Sequence, residues 1–197
     1  MSFTDNFGNP QGLLGRLMLI AMEREHLPMA KWAFSIIKIP DNGIIADIGC
    51  GGGYNIKRLL EQSSNTKVYG FDISEESVRK AKKINKAYLG SRCEIILGSA
   101  SSLPLKDNEA DLVTAFETVF FWKEIEKSFD EIKRILKPQG KFVIINNYGD
   151  PNIDWEKKVP CMKRRTAPEL KQLLESHGFS DITIEEKGTL FCITAVA

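Results

Sequence analysis

An acidic residue and three alternating glycines directly follow the first strongly apolar stretch of the chain. The stretch 44–53 reads IIADIGCGGG and contains Asp47, Gly49, Gly51 and Gly53. Glycine has no Cβ, so a loop of this kind can turn sharply and bring its backbone close to a ligand. Neither register of these glycines gives the G-x-G-x-x-G loop of dinucleotide-binding proteins. The pattern therefore predicts a ligand-binding loop of another kind.

A second acidic residue, Asp72, ends the next apolar stretch, in YGFDIS. It follows the glycines by about 20 residues, where an acid accepts hydrogen bonds from ribose hydroxyls in nucleotide-binding folds. The two motifs together predict a site for a ribose-containing ligand. Structural alternatives are that Asp47 ties down N–H groups of the loop and that Asp72 only flanks a helix. We interpret Cys50 as a packing residue, because the sequence places no histidine beside it that would activate a nucleophile.

The segments around these motifs alternate between strand-like and helical patterns. The strand-like stretches are nearly continuously apolar, as expected for strands buried on both faces. They are 44–49, 67–73, 93–98, 111–117 and 141–147. Helical patterns cover 55–62, 74–89 and 124–138, with Asn55 and Ser74 as expected N-caps. This alternation predicts an α/β fold with a doubly wound, mostly parallel sheet.

The C-terminal part of the chain departs from this alternation. A helix is predicted at 166–177, and strands are predicted at 181–187 and 189–197. The two strands are separated by only a short turn around Gly188, which is typical of an antiparallel pair. Such a pair completes a seven-stranded sheet.

The N-terminal part is predicted to be helical and to lie over the sheet. Its helical patterns cover about 12–24 and 28–38, and we expect Pro28 to separate them. The length of the chain suits one domain. We interpret residues 1–39 as a helical cover and residues 40–197 as the core of that domain.

The composition is that of an ordinary globular protein. The 197 residues carry a formal net charge of +1 and 43% of them are hydrophobic, so no polyanionic partner is indicated. No apolar stretch reaches the ~18 residues of a membrane span, and the N-terminus lacks the pattern of a secretion signal. The four cysteines and two histidines show no metal-ligand spacing. We therefore expect a cytoplasmic protein with reduced thiols and with no membrane, nucleic-acid or metal partner.

Four motifs in this order resemble the class I S-adenosylmethionine-dependent methyltransferase family. They are ADIGCGGG, GFDIS, GSASSLPLKDNEADLV and LKPQGKFVI, within about residues 40–148. The sequence is most similar to the small-molecule and quinone-biosynthesis-like members. The resemblance implies a Rossmann-like fold, S-adenosylmethionine as cofactor, and in-line transfer of its methyl group to a small-molecule acceptor. The alternatives are a non-catalytic S-adenosylmethionine-binding protein, an RNA or protein methyltransferase, and a nicotinamide dehydrogenase.

The resemblance also implies a role for each residue of these motifs. The loop residues would lie under the methionine part of the cofactor, Asp72 would hold the ribose diol, and Ile73 would pack on the adenine. Many members have an acid where this chain has Ser99, whose hydroxyl is a weaker acceptor. The backbone of Ala100 would meet the adenine ring, and Phe116 would approach the methionine. The implied cofactor-binding residues are Asp47, Gly49, Cys50, Gly51, Gly53, Asp72, Ile73, Ser99, Ala100 and Phe116.

Residues after the fourth strand are candidates for the acceptor side. Glu117 is expected at the mouth of the crevice, as a base or as a grip for an amine. The resemblance implies that the N-terminal helix is a lid with an apolar wall that includes Met18 and Met22, and the alternative is a helix packed on the edge of the sheet. His26 in this segment is a second candidate base or, alternatively, a surface histidine. The basic stretch 157–165 is either a solvated face or a site for an acidic substrate group. Aromatic residues either line the substrate or pack the following helix, and these candidates are Phe120, Phe121, Trp122 and Tyr148.

Overall fold

The computed structural model describes residues 8–197. In the first helix, the side chains of residues 13, 14, 16, 18 and 20–24 are outside the described set. Residues 1–7 of the predicted cover and the predicted methionine wall of the lid, Met18 and Met22, therefore lie outside the described residues. Among the residues that are described, none of the helices combines the length and the apolar character that crossing a membrane requires.

Seven strands form one sheet in the order β3-β2-β1-β4-β5-β7-β6. Strands β1 to β5 pair in parallel, and β7 pairs antiparallel with both β5 and β6. The prediction of a doubly wound, mostly parallel sheet with a C-terminal antiparallel pair is confirmed. The strands are β1 Ile44–Ile48, β2 Lys67–Asp72, β3 Cys93–Leu97, β4 Ala110–Phe116, β5 Leu136–Asn147, β6 Ser180–Lys187 and β7 Leu190–Val196.

Helices cover both faces of this sheet, because both faces of the central strands are apolar. Buried residues of α1, α2 and α3 form one hydrophobic cluster with one face of the sheet, and those of α4 and α6 form a second cluster with the other face. The helices are α1 Gly12–Ile36, α2 Tyr54–Gln62, α3 Glu75–Ile84, α4 Ile125–Ile135, α5 Trp155–Lys158 and α6 Ala167–Ser176.

The strand order places a ligand crevice between β1 and β4. After β1 the chain moves to β2 on one side, whereas after β4 it moves to β5 on the other side. Ligands of doubly wound folds bind at the carboxyl ends of strands where the connections diverge in this way. The segments that leave these strand ends, the glycine loop at 49–53 and the aromatic stretch after Phe116, therefore share one crevice.

The start of α2 differs from the sequence prediction. Gly53, in the left-handed conformation with φ of 77°, is the N-cap, so Asn55 lies in the first turn and the prediction that it caps the helix was wrong. The Asn55 side chain instead accepts a hydrogen bond of 2.9 Å from Arg58 Nη1. The prediction for α3 is confirmed, because the Ser74 hydroxyl accepts a hydrogen bond of 3.2 Å from the Ser77 N–H.

Helix α4 ends at Ile135, three residues before the predicted end at 138. The preceding loop takes up the last turn, since the N–H groups of Asn108 and Glu109 donate to the carbonyls of Arg134 and Ile135. Leu136 then pairs with the first residue of β4, so the chain joins the sheet before Pro138. Strand pairing, rather than the proline, ends this helix.

The predicted break at Pro28 was wrong, because α1 is one helix of 25 residues that contains it. A proline inside a helix costs about 3 kcal/mol through a lost hydrogen bond and a ring clash. The residues that follow compensate by packing. Met29 and Ala33 are buried in the cluster that also contains Ile45 of β1, so tertiary burial holds the helix together across the proline.

Candidate active site

Three cavities lie side by side at the carboxyl edge of the sheet. The glycine-loop cavity, beside Gly51 and Asp47, measures about 110 Å³. The serine cavity, beside Ser99, measures about 240 Å³, and the aromatic cavity, beside Tyr148 and Trp155, measures about 320 Å³. Shared lining residues join the first cavity to each of the other two, so that the three form one groove.

The three glycines of the loop meet different surroundings. A Cβ at Gly49 would lie 2.0 Å from Thr118 Oγ1, and one at Gly53 would lie 2.7 Å from the Ala81 Cβ, so both positions are closed by protein. A Cβ at Gly51 would meet no described atom within 4 Å. Two glycines thus allow close packing, and Gly51 faces the open space of the glycine-loop cavity.

Most N–H groups of the loop are already used inside the protein. Gly49 and Cys50 both donate to the carbonyl of Phe71, at 2.7 and 2.9 Å. Gly51 donates to Oδ2 of Asp72 at 2.8 Å. The loop therefore offers open space beside its backbone rather than a ring of free N–H donors.

Asp72 links the loop to the end of β2. Its Oδ1 accepts a hydrogen bond of 2.8 Å from the Ser74 N–H, while Oδ2 holds Gly51. The side chain is buried and lines both the glycine-loop cavity and the serine cavity. Burial raises the pKa of this carboxyl, and the backbone hydrogen bonds from Ser74 and Gly51 oppose that rise. Each carboxylate oxygen keeps a further lone pair for a ligand donor.

Asp47 and Cys50 are fixed at the floor of the same cavity. Asp47 accepts a hydrogen bond of 2.7 Å from Thr114 Oγ1, and burial raises its pKa to about 7 despite that bond. Burial raises the pKa of the Cys50 thiol well above its usual range, with Asp72 and Asp47 adding to the shift. A thiol that stays protonated is a poor nucleophile, which agrees with a packing role for Cys50.

The serine cavity contains the predicted Ile73, Ser99 and Ala100. Ile73 is 54% exposed, which leaves its side chain free to cover a planar ligand group. Ser99 Oγ lies 3.1 Å from Ser101 Oγ, and Ser101 Oγ donates to Glu124 Oε2 at 3.0 Å. The sequence analysis missed Ser101 and Glu124, which supply an acid near the position where Ser99 replaces one. No local motif marks Glu124, because it comes from the residue before α4.

The aromatic candidates separate into two groups. Phe121 lines all three cavities and Phe120 lines the aromatic cavity. Trp122 borders the serine cavity, but its ring stacks on Phe142 with centroids 6.4 Å apart and belongs to the main hydrophobic cluster. Phe116 lines the glycine-loop cavity. Phe120 is buried in that cluster as well, whereas Phe121 is only partly buried and borders all three cavities.

Glu117 stands where the glycine-loop cavity meets the aromatic cavity. Its φ of 54° is unusual for a residue other than glycine, and such strain is concentrated at functional sites. Its Oε1 is shielded from solvent and has no hydrogen-bond partner among the described side chains and backbone. Its Oε2 lies 3.9 Å from His26 Nε2. Burial raises the pKa of Glu117 to about 8, although a hydrogen bond from the Asn147 backbone lowers it.

The remaining wall of the aromatic cavity comes from the segment between β5 and α6. Tyr148 lines it, with its ring 4.5 Å from that of Phe191 and its hydroxyl accepting from the Ala167 N–H at 3.0 Å. Trp155 and Arg164 line it as well, and the sequence analysis missed both as individual residues. The only signal was the basic stretch 157–165, which contains Arg164.

Residues 46–144, half of the chain, match the family described as methyltransferase domain. The chain belongs to this family. The methyltransferase YdaC of Bacillus subtilis, itself uncharacterized, is 25% identical over 84% of this chain and 87% of its own length. The ubiquinone/menaquinone biosynthesis C-methyltransferase UbiE of Rickettsia bellii is 30% identical over 73% of this chain and 58% of its own length. Membership in this family confirms the prediction that the chain is an S-adenosylmethionine-dependent methyltransferase rather than a nicotinamide dehydrogenase.

A solved methyltransferase fold agrees with this assignment. The crystal structure of an S-adenosylmethionine-dependent methyltransferase from Aquifex aeolicus has a TM-score of 0.74 and covers 92% of this chain and 97% of that chain. At 23% sequence identity it shows the shared fold. The Rossmann-like architecture predicted from the sequence is therefore confirmed.

The residues present fit S-adenosylmethionine, the cofactor of this methyltransferase class. The space beside Gly51 is where a side chain would otherwise stand, so a ligand can lie against the backbone there. Asp72 offers a fixed carboxylate to a sugar diol, and Ile73 offers an exposed apolar side chain to a base. In the part of the chain whose side chains are described, no cluster of histidine, cysteine and acidic side chains is arranged to hold a metal ion.

Proposed function

We propose that the protein methylates a small molecule whose acceptor atom carries a proton, and that this molecule binds in the aromatic cavity. One observation carries the proposal: Glu117, His26 and Phe121 line both the glycine-loop cavity and the aromatic cavity. A carboxyl group thus stands at the junction of the two. The aromatic cavity, at about 320 Å³, has the size of a small-molecule site.

In this proposal the chain positions the acceptor, excludes water and removes a proton from the acceptor. S-adenosylmethionine, when bound, supplies a methyl group that is already activated on a sulfonium. The aromatic cavity holds the acceptor about 3 Å from that group and in line with it, which is where most of the acceleration of such a transfer originates. Phe120 and Phe121 exclude water from the junction. The third task is to remove the proton of the acceptor.

Glu117 is proposed to take this proton. The unpartnered Oε1 is a ready acceptor for an O–H or N–H group, so an acceptor that donates to it removes the cost of a buried, unsatisfied oxygen. As the acceptor atom would bond to the methyl carbon and the bond between that carbon and the sulfonium sulfur would break, the proton of the acceptor would move to the Glu117 carboxylate. His26 is 34% exposed against 17% for Glu117, so we assign it the passage of the proton to solvent.

Helix α1 is proposed to act as the cover over these cavities. Leu19 and His26 of α1 line the glycine-loop cavity, and Glu25 lines the aromatic cavity. The volume of the aromatic cavity and the net charge of +1 support a small molecule rather than RNA as acceptor.

The test is a methyl-release assay with labelled S-adenosylmethionine against a panel of hydroxylated and amino metabolites. We expect turnover with at least one small molecule, and we expect the Glu117→Gln variant to lose it while retaining cofactor affinity. Turnover with RNA or protein substrates alone would overturn the proposal.

A further inference from the structure

Arg164 is a lining residue of the aromatic cavity. Its Nη2 donates to the carbonyl of Tyr148, and its backbone N–H donates to Glu156 Oε1 at 2.8 Å. Among the side chains that the structure describes, the guanidinium makes no ion pair with a carboxylate. A half-buried cation without a counter-ion, beside a cavity, indicates that the counter-ion comes with the ligand.

The segment that carries Arg164 is held in place by hydrogen bonds to the rest of the protein. The N–H of Lys163 donates to the carbonyl of Phe120 at 2.7 Å, which ties the segment to the aromatic stretch. Tyr148, to which Arg164 donates, is itself held by Phe191 and Ala167. A guanidinium has five N–H donors, so those not bonded to Tyr148 remain for a planar, bidentate anion.

The rest of the lining suits a flat apolar body. Phe120, Phe121 and Trp155 contribute rings, and Val159 and Met162 contribute aliphatic surface. Trp155 is fixed against Gly149, where a Cβ would lie 2.7 Å from Trp155 Nε1, and Nε1 donates to the Asp150 carbonyl at 3.2 Å. A volume of about 320 Å³ is near the lower end for ligand sites, so the ligand is small.

A cationic ligand fits the aromatic cavity less well than an anionic one. Glu25 and Glu117 also line the cavity, and two acids among aromatic rings can bind an amine. However, Glu117 is mainly protonated at neutral pH, because burial raises its pKa to about 8, so it adds little negative charge to the cavity and acts as a base only through its ionised fraction. Arg164 repels a cation that enters the same space. Glu25 is exposed to solvent, which screens its charge, whereas Arg164 is half-buried, so the less screened charge at the cavity is positive.

We propose that the methyl acceptor is a small aromatic carboxylic acid, with its carboxylate bound by Arg164 and a hydroxyl or amino group directed to Glu117. This assignment deepens the proposed function and rests on it. Arg164 is a specificity residue, because it binds the part of the acceptor that does not react.

The first measurement separates the two proposals. S-adenosylhomocysteine is titrated into the intact protein by calorimetry. If it does not bind, the proposed function itself is contradicted. With that ligand bound, hydroxy- and amino-substituted benzoates, phenylacetates and cinnamates are titrated beside their methyl esters, the corresponding aryl phosphates and tyramine. We expect at least one acid to bind at least about tenfold more tightly than its ester, since the ester lacks the charge that Arg164 pairs with.

Matched variants test Arg164 directly. Arg164→Met is expected to remove the tenfold advantage of the acid over its ester, whereas Lys163→Met, an equal change of charge on an exposed side chain, is expected to keep it. Arg164→Glu is expected to bind tyramine more tightly than the acid. A reversed preference of this kind would not result from a variant that only perturbs the structure of the cavity wall. Preference of the wild type for esters, phosphates or tyramine overturns the proposal, and so does an unchanged acid preference in Arg164→Met.

Discussion

The N–H of Gly51 donates a 2.8 Å hydrogen bond to Oδ2 of Asp72, which joins the loop after β1 to the end of β2. The same carboxylate accepts from Ser74 and lines the two cavities on either side of the loop. The acid is thus both a brace for the loop and a wall of the crevice. We therefore expect substitution of Asp72 to weaken cofactor binding.

Asp72→Ala should weaken binding of S-adenosylhomocysteine at least tenfold, or about 1.4 kcal/mol, the scale of a lost charge-assisted hydrogen bond. Asp72→Asn, which keeps one acceptor oxygen, should fall between this variant and the wild type. Calorimetry gives both affinities, and thermal melting checks that the fold is intact. Wild-type affinity in a folded Asp72→Ala protein would count against the ribose assignment.

Gly51→Val should abolish cofactor binding without unfolding the protein, because its side chain would enter the open space of the crevice. The backbone strain of a valine at a φ of +52° costs about 1–2 kcal/mol. Gly90 provides the matched control, since it has a φ of +74° and, like Gly51, no described atom within 4 Å of an added Cβ. The melting temperature should fall by a similar amount in both valine variants, and only Gly51→Val should lose affinity for S-adenosylhomocysteine. Equal affinities would place the ligand elsewhere.

The rate of methyl transfer should rise with pH and level off above about 8. Glu117 must be ionised to accept a proton, and its pKa is raised to about 8 by burial. Glu117→Gln should lower kcat by a factor of about 10² to 10⁴, the usual contribution of a general base, and should remove this limb of the profile. Steady-state rates from pH 6 to 9.5 test this. A Glu117→Gln profile that keeps the limb would assign the titration to another group.

The same pKa predicts how folding stability depends on pH. Below the ordinary pKa of 4.5 the carboxyl is protonated in both states, and between 4.5 and about 8 only the unfolded state ionises. The wild type should therefore lose up to about 1.4 kcal/mol of unfolding free energy per pH unit in this window, with no further loss above it. Glu117→Gln removes this loss, so its stability relative to the wild type should increase from pH 5 to pH 8 in urea unfolding. Parallel curves would contradict the buried, protonated state.

Glu124→Gln should reduce cofactor affinity moderately, by a few-fold, because Glu124 acts through Ser101 on Ser99. Glu126→Gln is the matched control, being an acid in the first turn of α4 that does not line the serine cavity. Loss of affinity in both variants would indicate a general electrostatic effect rather than this chain of hydroxyls.

The sequence predicted the parts of the fold that depend on periodic patterns. The apolar strands, the Ser74 cap and the C-terminal pair follow from local residue types, and the structure agrees. The break at Pro28 and the end of α4 were wrong because tertiary packing and strand pairing determined them. Such contacts join residues that are distant in the chain.

The same limit applies to the site. Asp47 and the glycines follow one predicted parallel strand and Asp72 ends the next, so the sequence could place them at the same edge of the sheet. Arg164, Trp155 and Glu124 reach the cavities only because β5 and α4 lie beside β4 and the following loops fold back. Their residue types carried no signal that separates them from surface charges and packing aromatics.

The most direct test of the central claim is a crystal structure with S-adenosylhomocysteine. The compound should occupy the glycine-loop and serine cavities, with its ribose hydroxyls within hydrogen-bond distance of Asp72 and its sulfur toward Glu117 and Phe121. Density for the compound outside this crevice, or an Asp72 carboxylate that contacts protein atoms only, would contradict the account.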